Sequence, residues 1–442
     1  MKTWLMVGLA GVLALAISGL GSAQATYPDG TELRLLQWSH FVPRYDDWFD
    51  TYAAEWGAAN NVRVTVDHVN ITEIAATMAA ELDAGSGHSL IEATTSPAVF
   101  IANLHDLSDI NAEAAQRFGE QHGFCQRNSY LPAADKYYGF VNTQVANAGI
   151  YDIALWTEAG YPNGPASWAE LLEGGRAIYE NTGVPVGIGL SPEPDSEMAV
   201  RSALWSFGGS VQDENGQVVL NSPQTIAAVE YLAQLQNEAM TAEVFGWGVP
   251  SNNQALIAGD VSFILNPASA YRSLQTVDEM AAAGIGFTAA LAGPAAALTG
   301  TQALTFVIPK YVEGDELAVA KQFILDHTAN YSDAHYYSEL YNLPCFPAMV
   351  PQMADWLDDD PFGSQPADKL AAFQTVGEWS ANLGYPGYNN PATAQIYSEN
   401  ILPNMVARVA LGELSVADAV AQAHERIEAI FAHWRGLGMI SG

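Results

Sequence analysis

The side chains in this sequence that stand out for chemistry are of the kinds that recognise a small polar molecule. Trp38 and His40 follow the apolar run Leu33-Arg34-Leu35-Leu36-Gln37-Trp38, and Thr95 and Ser96 follow the short run Leu90–Ala93. An indole in such a place can stack on the apolar face of a pyranose ring while an imidazole or hydroxyl supplies a hydrogen bond. Trp247 lies between Gly246 and Gly248, whose backbone freedom leaves its ring accessible. Asn266 and Gln302 flank two further apolar runs, and a carboxamide both donates and accepts, which suits a hydroxyl partner. Trp379, Tyr385 and Tyr388 share a Gly- and Pro-rich stretch with Asn389 and Asn390, a composition suited to a binding loop on a rigid scaffold. Each ring also has a plainer reading, in which Trp38 is core, Trp247 anchors a loop and the later aromatics pin an irregular segment. Thr95 and Ser96 equally suit a turn.

Residues that would transform a ligand are harder to find. There is no Gly-x-Ser-x-Gly elbow, no His-Glu-x-x-His and no Gly-x-x-x-x-Gly-Lys loop, and the two cysteines lack metal-binding spacing. Carboxylates are abundant, but a glycosidase needs two of them at a fixed separation across a cleft, and no spacing singles out a pair. Binding without catalysis, cofactor or metal is the expectation. A secreted carbohydrate-active enzyme is the alternative.

Stepping outward to the elements that must hold these groups, Leu33 to Trp38 reads as a strand. Val62, Val64 and Val66, alternating with Arg63, Thr65 and Asp67, read as a second, and Trp48, Phe49, Tyr52 and Trp56 recur between them at helical spacing. That order makes a βαβ unit, which a helix from Thr72 to Leu82 and a short strand at Leu90 to Ala93 extend. Ser167 with Glu170 fits a capping box. Ser222 before Pro223, and Ser415 before Val416, open helices with apolar stripes at Ile226, Val229, Leu232 and Leu235, and at Val420, Ala423, Ile427 and Ile430. Strands are expected at Val184 to Leu190, Val261 to Leu265 and Leu304 to Ile308, so the later chain is also α/β. In such open sheets a ligand sits beyond the carboxyl ends of the strands.

A chain of 442 residues exceeds what one core usually serves, so two domains are expected. The 49 acidic against 16 basic residues give a formal charge of −33, which repels phosphates and sets nucleic acid and anionic membrane partners aside. Asp355 to Asp360 is the densest acidic stretch and is expected to cap or follow a helix before Pro361 without carrying a site. Cys125 and Cys345 leave two alternatives open, a disulfide or two buried thiols. Lys2, the apolar run Trp4 to Leu20 and Ala23-Gln24-Ala25 have the pattern of a secretory signal peptide cleaved near Ala25, which places the mature protein in the periplasm or outside the cell and permits oxidation.

The order of local motifs resembles the extracellular solute-binding proteins of ABC importers, in the large family that includes maltose-type and other sugar-binding proteins. The resemblance is carried by Lys136-Tyr137-Tyr138-Gly139-Phe140, Tyr151-Asp152 to Ala159-Gly160, and Ala166-Ser167-Trp168-Ala169-Glu170-Leu171. It continues through Ala203-Leu204-Trp205-Ser206-Phe207-Gly208-Gly209, Leu256-Ile257-Ala258-Gly259-Asp260-Val261-Ser262-Phe263 and Leu411-Gly412-Glu413-Leu414-Ser415. Val141 stands where the family often has Pro, and Asn142 to Gly149 lacks a strong apolar strand pattern. The resemblance implies a two-lobed α/β fold, each lobe a mostly parallel sheet flanked by helices, with a ligand cleft between lobes that closes by a hinge. It divides the chain into a signal peptide at 1–25, a first lobe from 26–140 and 286–345, and a second from 141–285 and 346–442. It further implies a monomer that delivers a small ligand, most simply a neutral saccharide, to a membrane permease. A polyamine-type receptor is the alternative within that class, since it uses aromatics with added carboxylates.

Overall fold

A computed structural model describes residues 27–440, and the signal peptide expected at 1–25 lies outside them. Alternation builds the first unit. Strands β1 (Glu32–Trp38), β2 (Arg63–Val69) and β3 (Leu90–Ala93) pair in parallel with β1 in the middle. The crossover helix Pro43–Asn60 buries Tyr45, Phe49, Ala53 and Trp56 at helical spacing and stops at Asn61, whose φ of 59° ends the helix in the left-handed region. The helix Ile74–Ala84 covers the opposite face through Ile74, Met78 and Leu82.

A short hairpin, β4 (Tyr130–Leu131) with β5 (Lys136–Tyr137), leads into β6 (Phe140–Ala146) and β7 (Ala148–Asp152). The remaining strands are β8 (Phe263–Asn266), β9 (Ile285–Thr288), β10 (Thr299–Val307), β11 (Leu343–Pro344) and β12 (Ser380–Ala381). The large sheet has the order β11-β6-β10-β3-β1-β2, with β12 added beside β10, and the small sheet has the order β8-β7-β9. Two cores line the faces of the large sheet, one around Phe49, Phe140, Phe306 and Phe323 and one around Trp38, Ile91 and Val307. A third, containing Trp156, Trp168, Leu204, Leu232 and Ile427, gathers helices beside the small sheet.

The α/β, two-lobed architecture is present, but the strand directions differ from the expectation of mostly parallel sheets. β10 runs antiparallel to both β3 and β6, β11 runs antiparallel to β6, and β7 runs antiparallel to both of its neighbours. The parallel rule belongs to strands joined by a helical crossover within one sheet. β10 instead enters from β9 of the small sheet and inserts between β3 and β6, so no helical crossover sets its direction.

Two local expectations also give way. Residues 142–146 and 148–149 lie in β6 and β7, where every residue from Phe140 to Tyr151 is buried, so a two-sided burial leaves no alternation to read. Val184 to Leu190 is not a strand. Val186 makes a single bridge to Phe263, and the adjacent Pro185, Gly187 and Gly189 prevent a longer ladder.

The helix starts follow their caps. Ser222 accepts from the Thr225 N–H with Pro223 at the first turn, and Ser415 accepts from the Asp418 N–H. Ser167 accepts from the Glu170 N–H, while the Glu170 carboxylate reaches one residue further back, to the Ala166 N–H. Cys125 and Cys345 are joined by a disulfide, with Cα atoms 6.0 Å apart, tying the helix Gly123–Ser129 to the end of β11. Among the described residues no helix is long and apolar enough to cross a membrane.

Candidate functional site

β1 and β3 run in the same direction, so their carboxyl ends open at one edge of the large sheet, and the loops beyond them face the loop beyond β8 in the other lobe. Between these loops lies a cavity of ≈ 220 Å³. The large sheet contributes Phe41, Ile71, Thr94, Thr95, Gln302 and Tyr341. The small-sheet lobe contributes Asp195, Val249, Asn253, Asn266 and Ser269. Two aromatic rings and three carboxamides thus converge on one space, and Asp195 is the only charged residue among those that line it.

The floor from the second lobe is a chain of side-chain amides. Asn252 donates to Asp195 at 3.0 Å and to Asn266 at 3.4 Å, and Asn266 donates to Asn253 at 2.5 Å. Asp195 sits in the first turn of the helix Pro194–Ser206, which Glu193 caps by accepting from the Asp195 and Ser196 N–H groups. Part of the Asp195 carboxylate faces the cavity, yet protein encloses it on the other sides. Burial, and then the neighbouring charge of Glu193, raise its pKa well above the usual carboxylate range, while the Asn252 hydrogen bond opposes them.

Of the residues expected from sequence, Thr95, Asn266 and Gln302 line the cavity. Trp38 and His40 lie behind its wall. Trp38 is buried with its ring 5.2 Å from Phe41 and 6.4 Å from Tyr341, so it backs the two aromatics that do face the space. His40 is also buried. Its Nδ1 accepts from the Val42 N–H at 2.9 Å, which puts the proton on Nε2, facing Asn342 Oδ1 at 3.1 Å. Burial lowers its pKa to about 4, so it is neutral and fixed. Ser96 caps the turn Pro97–Asn103, accepts from Asn389 Nδ2 at 2.6 Å, and lines a second, much smaller chamber beyond Thr95 and Gln302.

The other aromatics are elsewhere. Trp247 is half-buried against the small-sheet lobe, its ring so close to Gly187 that a Cβ there would stand 3.0 Å away, and only its neighbour Val249 reaches the cavity. Trp379 is buried in an apolar seam between the sheets, where it donates to Thr375 Oγ1 at 3.2 Å. Tyr385 packs edge-on against Trp205 at 5.5 Å. Tyr388 packs on Tyr130 at 5.5 Å and faces a separate cavity of ≈ 210 Å³.

Sequence reasoning missed Phe41, Tyr341, Asp195, Asn253 and Ser269. Phe41 follows the same strand end as Trp38 and could have been found there. Tyr341 has no local signal, because it is placed by Glu339 and Leu340, two non-glycine residues with φ of 54° and 66°. The Glu339 carbonyl is held by Arg272 Nε at 3.0 Å, and the Arg272 guanidinium is held by the buried Asp360 carboxylate at 2.7 and 3.1 Å. Asp360 belongs to the acidic stretch expected to cap or follow a helix. It is instead the buried half of an ion pair.

The family model for bacterial extracellular solute-binding proteins matches residues 51–362. A protein of Deinococcus radiodurans named as an ABC transporter-binding protein is 30% identical over 169 residues, which is 35% of this chain and 40% of that protein. The matches to curated relatives span 26% to 40% of those proteins' own length. Among solved structures, an oligosaccharide periplasmic-binding protein from Synechococcus, in complex with zinc, superposes with a TM-score of 0.77 at 18% identity, covering 91% of this chain and 99% of that one. Maltose-bound MalE3 of T. maritima gives 0.74 at 17% identity, covering 90% and 100%. At such identity these structures establish the shared fold.

Proposed function

Because this chain belongs to the bacterial extracellular solute-binding proteins, we propose that it captures a small neutral saccharide between its lobes and hands it to the permease of an ABC importer. It acts outside the cytoplasm, as a monomer, and without catalysing a reaction. The observation that carries the reading is the make-up of the cavity. Phe41 and Tyr341 offer faces for the apolar side of a sugar ring, and Asn253, Asn266, Gln302, Thr95 and Ser269 offer groups that both donate and accept. No basic side chain lines the space, which disfavours an anionic solute. Solved proteins of this fold were captured with maltose, laminaribiose and ribitol, which supports a polyol or saccharide.

A glycosidase reading finds little support, since a hydrolase needs a pair of carboxyl groups and Asp195 is the only one lining the cavity. A second reading rests on that same residue. A carboxylate enclosed without a cation can hold an ammonium group, so a polyamine or amino sugar is the competing ligand class. Thermal unfolding with glucose, maltose, laminaribiose, ribitol, glucosamine and spermidine separates the readings, because a ligand that binds only the folded form raises its melting temperature. A rise with the neutral sugars is expected. A rise with spermidine or glucosamine alone would transfer the assignment to the cationic class, and release of new reducing ends from an oligosaccharide would overturn the receptor reading altogether.

A further inference from the structure

The main cavity does not end at its far wall. Thr94, Thr95 and Gln302 line it and also line a second chamber, of ≈ 20 Å³, whose other walls include Ser96, Asn128, Met198 and Tyr397. Residues shared by two spaces stand between them. Part of the partition is a side chain, since the Gln302 carboxamide donates through Nε2 to the carbonyl of Thr94. Gln302 is half-exposed, whereas Thr94 on the opposite side is buried in the loop after β3. The fixed acceptor is therefore the backbone, and the movable part is one glutamine.

The chamber behind is polar. Ser96 Oγ, which accepts from Asn389 Nδ2, and Thr301 Oγ1, which donates to the Ala381 carbonyl at 3.2 Å, mark two of its sides. Its volume is on the order of what one or two waters need, far below that of a sugar ring. Tyr397 gives it one aromatic wall, as Phe41 and Tyr341 give the main cavity theirs. It has the materials of a further sugar position without the room.

We propose that Gln302 is the length filter of the cleft: its carboxamide, docked on the Thr94 carbonyl, closes the passage to the rear chamber and restricts the ligand to one or two sugar units. The proposal rests on the saccharide reading given above. Removing the side chain joins the two spaces and leaves the Thr94 carbonyl free to accept from a hydroxyl of a third unit.

Calorimetric titration of the wild-type protein and of Gln302→Ala with glucose, maltose, maltotriose, laminaribiose and laminaritriose tests this. The expected result is that the ratio of Kd for the trisaccharide to Kd for the disaccharide of the same series falls at least tenfold in the variant. Equal ratios in two proteins that both bind sugar overturn the filter alone. If neither protein binds any of the five, the saccharide reading falls and the filter with it. Should Gln302→Ala not fold, Gln302→Ser, which also withdraws the reach to Thr94, is measured against the same ratio.

Discussion

Phe41 and Tyr341 differ in how much of each is available to a ligand, and the difference predicts how each responds to truncation. Phe41 is half-exposed and makes its face available to the cavity, while Tyr341 is 5% exposed and doubles as core. Phe41→Ala is expected to weaken ligand binding by about 1.4 kcal/mol, tenfold in Kd, with little change in melting temperature. Titration and thermal unfolding measured together would contradict this if stability fell and affinity did not. A second residue, Glu92 on β3, is fully buried beside Asp46, and Trp38 is its hydrogen-bonding neighbour. Burial, then the Asp46 charge, push its pKa up to about 8. The folded protein therefore keeps that proton where the unfolded chain has lost it, above about 4.5. The contribution to stability is full below that pH and is lost as pH rises through 8. Glu92→Gln is expected to be more stable than wild type at pH 9, by on the order of 3 kcal/mol, and close to it at pH 5. Melting curves at the two pH values decide, and an equal difference at both would exclude the assignment. The buried His40, His327 and His335 act in the other direction. Burial holds them neutral, with pKa values of about 4, 3 and 4, so the stability they leave intact above about 6.5 is lost as pH falls towards 4.

The seam between the sheets holds one of the aromatics that the sequence offers for stacking. Trp379 fills a seam with Leu343, Leu357, Phe373 and Ala148, drawn from both sheets and from the segment between them. Trp379→Ala is expected to lower stability by about 3–5 kcal/mol, the usual range for a fully packed indole. Its effect on affinity is expected to be small at a temperature where the variant is folded. A large loss of affinity in a variant with unchanged denaturation midpoint would return Trp379 to the binding site. A buried ring and a ligand-stacking ring look alike in sequence, because both are apolar, both are large, and their neighbours are chosen by contacts far along the chain. Asn266 and Gln302 were easier to place. Asn266 ends β8, and Gln302, inside β10, stands three residues before the Thr305 that pairs with Ala93 at the end of β3, so both lie where clefts form in open α/β sheets.

At the scale of the whole molecule, the cavity takes one wall from each lobe, so a ligand there favours the conformation in which the walls are near each other. Small-angle scattering with and without a ligand identified by thermal shift is expected to show a smaller radius of gyration in its presence. An unchanged radius alongside demonstrated binding would exclude closure of the cleft. The disulfide between Cys125 and Cys345 and the buried Arg272–Asp360 pair lie outside the walls of the cavity.

The sequence by itself determined the α/β class, the first βαβ unit and the capped starts of the helices at Pro223 and Val416. These rest on period, capping and turn chemistry, all of which act within a few residues. It also placed three cavity residues, Thr95 and Asn266 through the ends of their strands and Gln302 beside an apolar run that the folded strand extends back past it. Only the tertiary structure decided that β10 and β7 run antiparallel to their neighbours, that Trp38 stands behind Phe41, that Asp360 is buried against Arg272, and that Cys125 meets Cys345. Trp38 and Phe41 are three residues apart, but the other partners lie from 88 to 220 residues apart, a separation that no local pattern reports. Tyr341 is the sharpest case. Its place depends on two left-handed residues that no glycine announces, held by an arginine from the other lobe, so the wall of the site is set by contacts that exist only once the chain has folded.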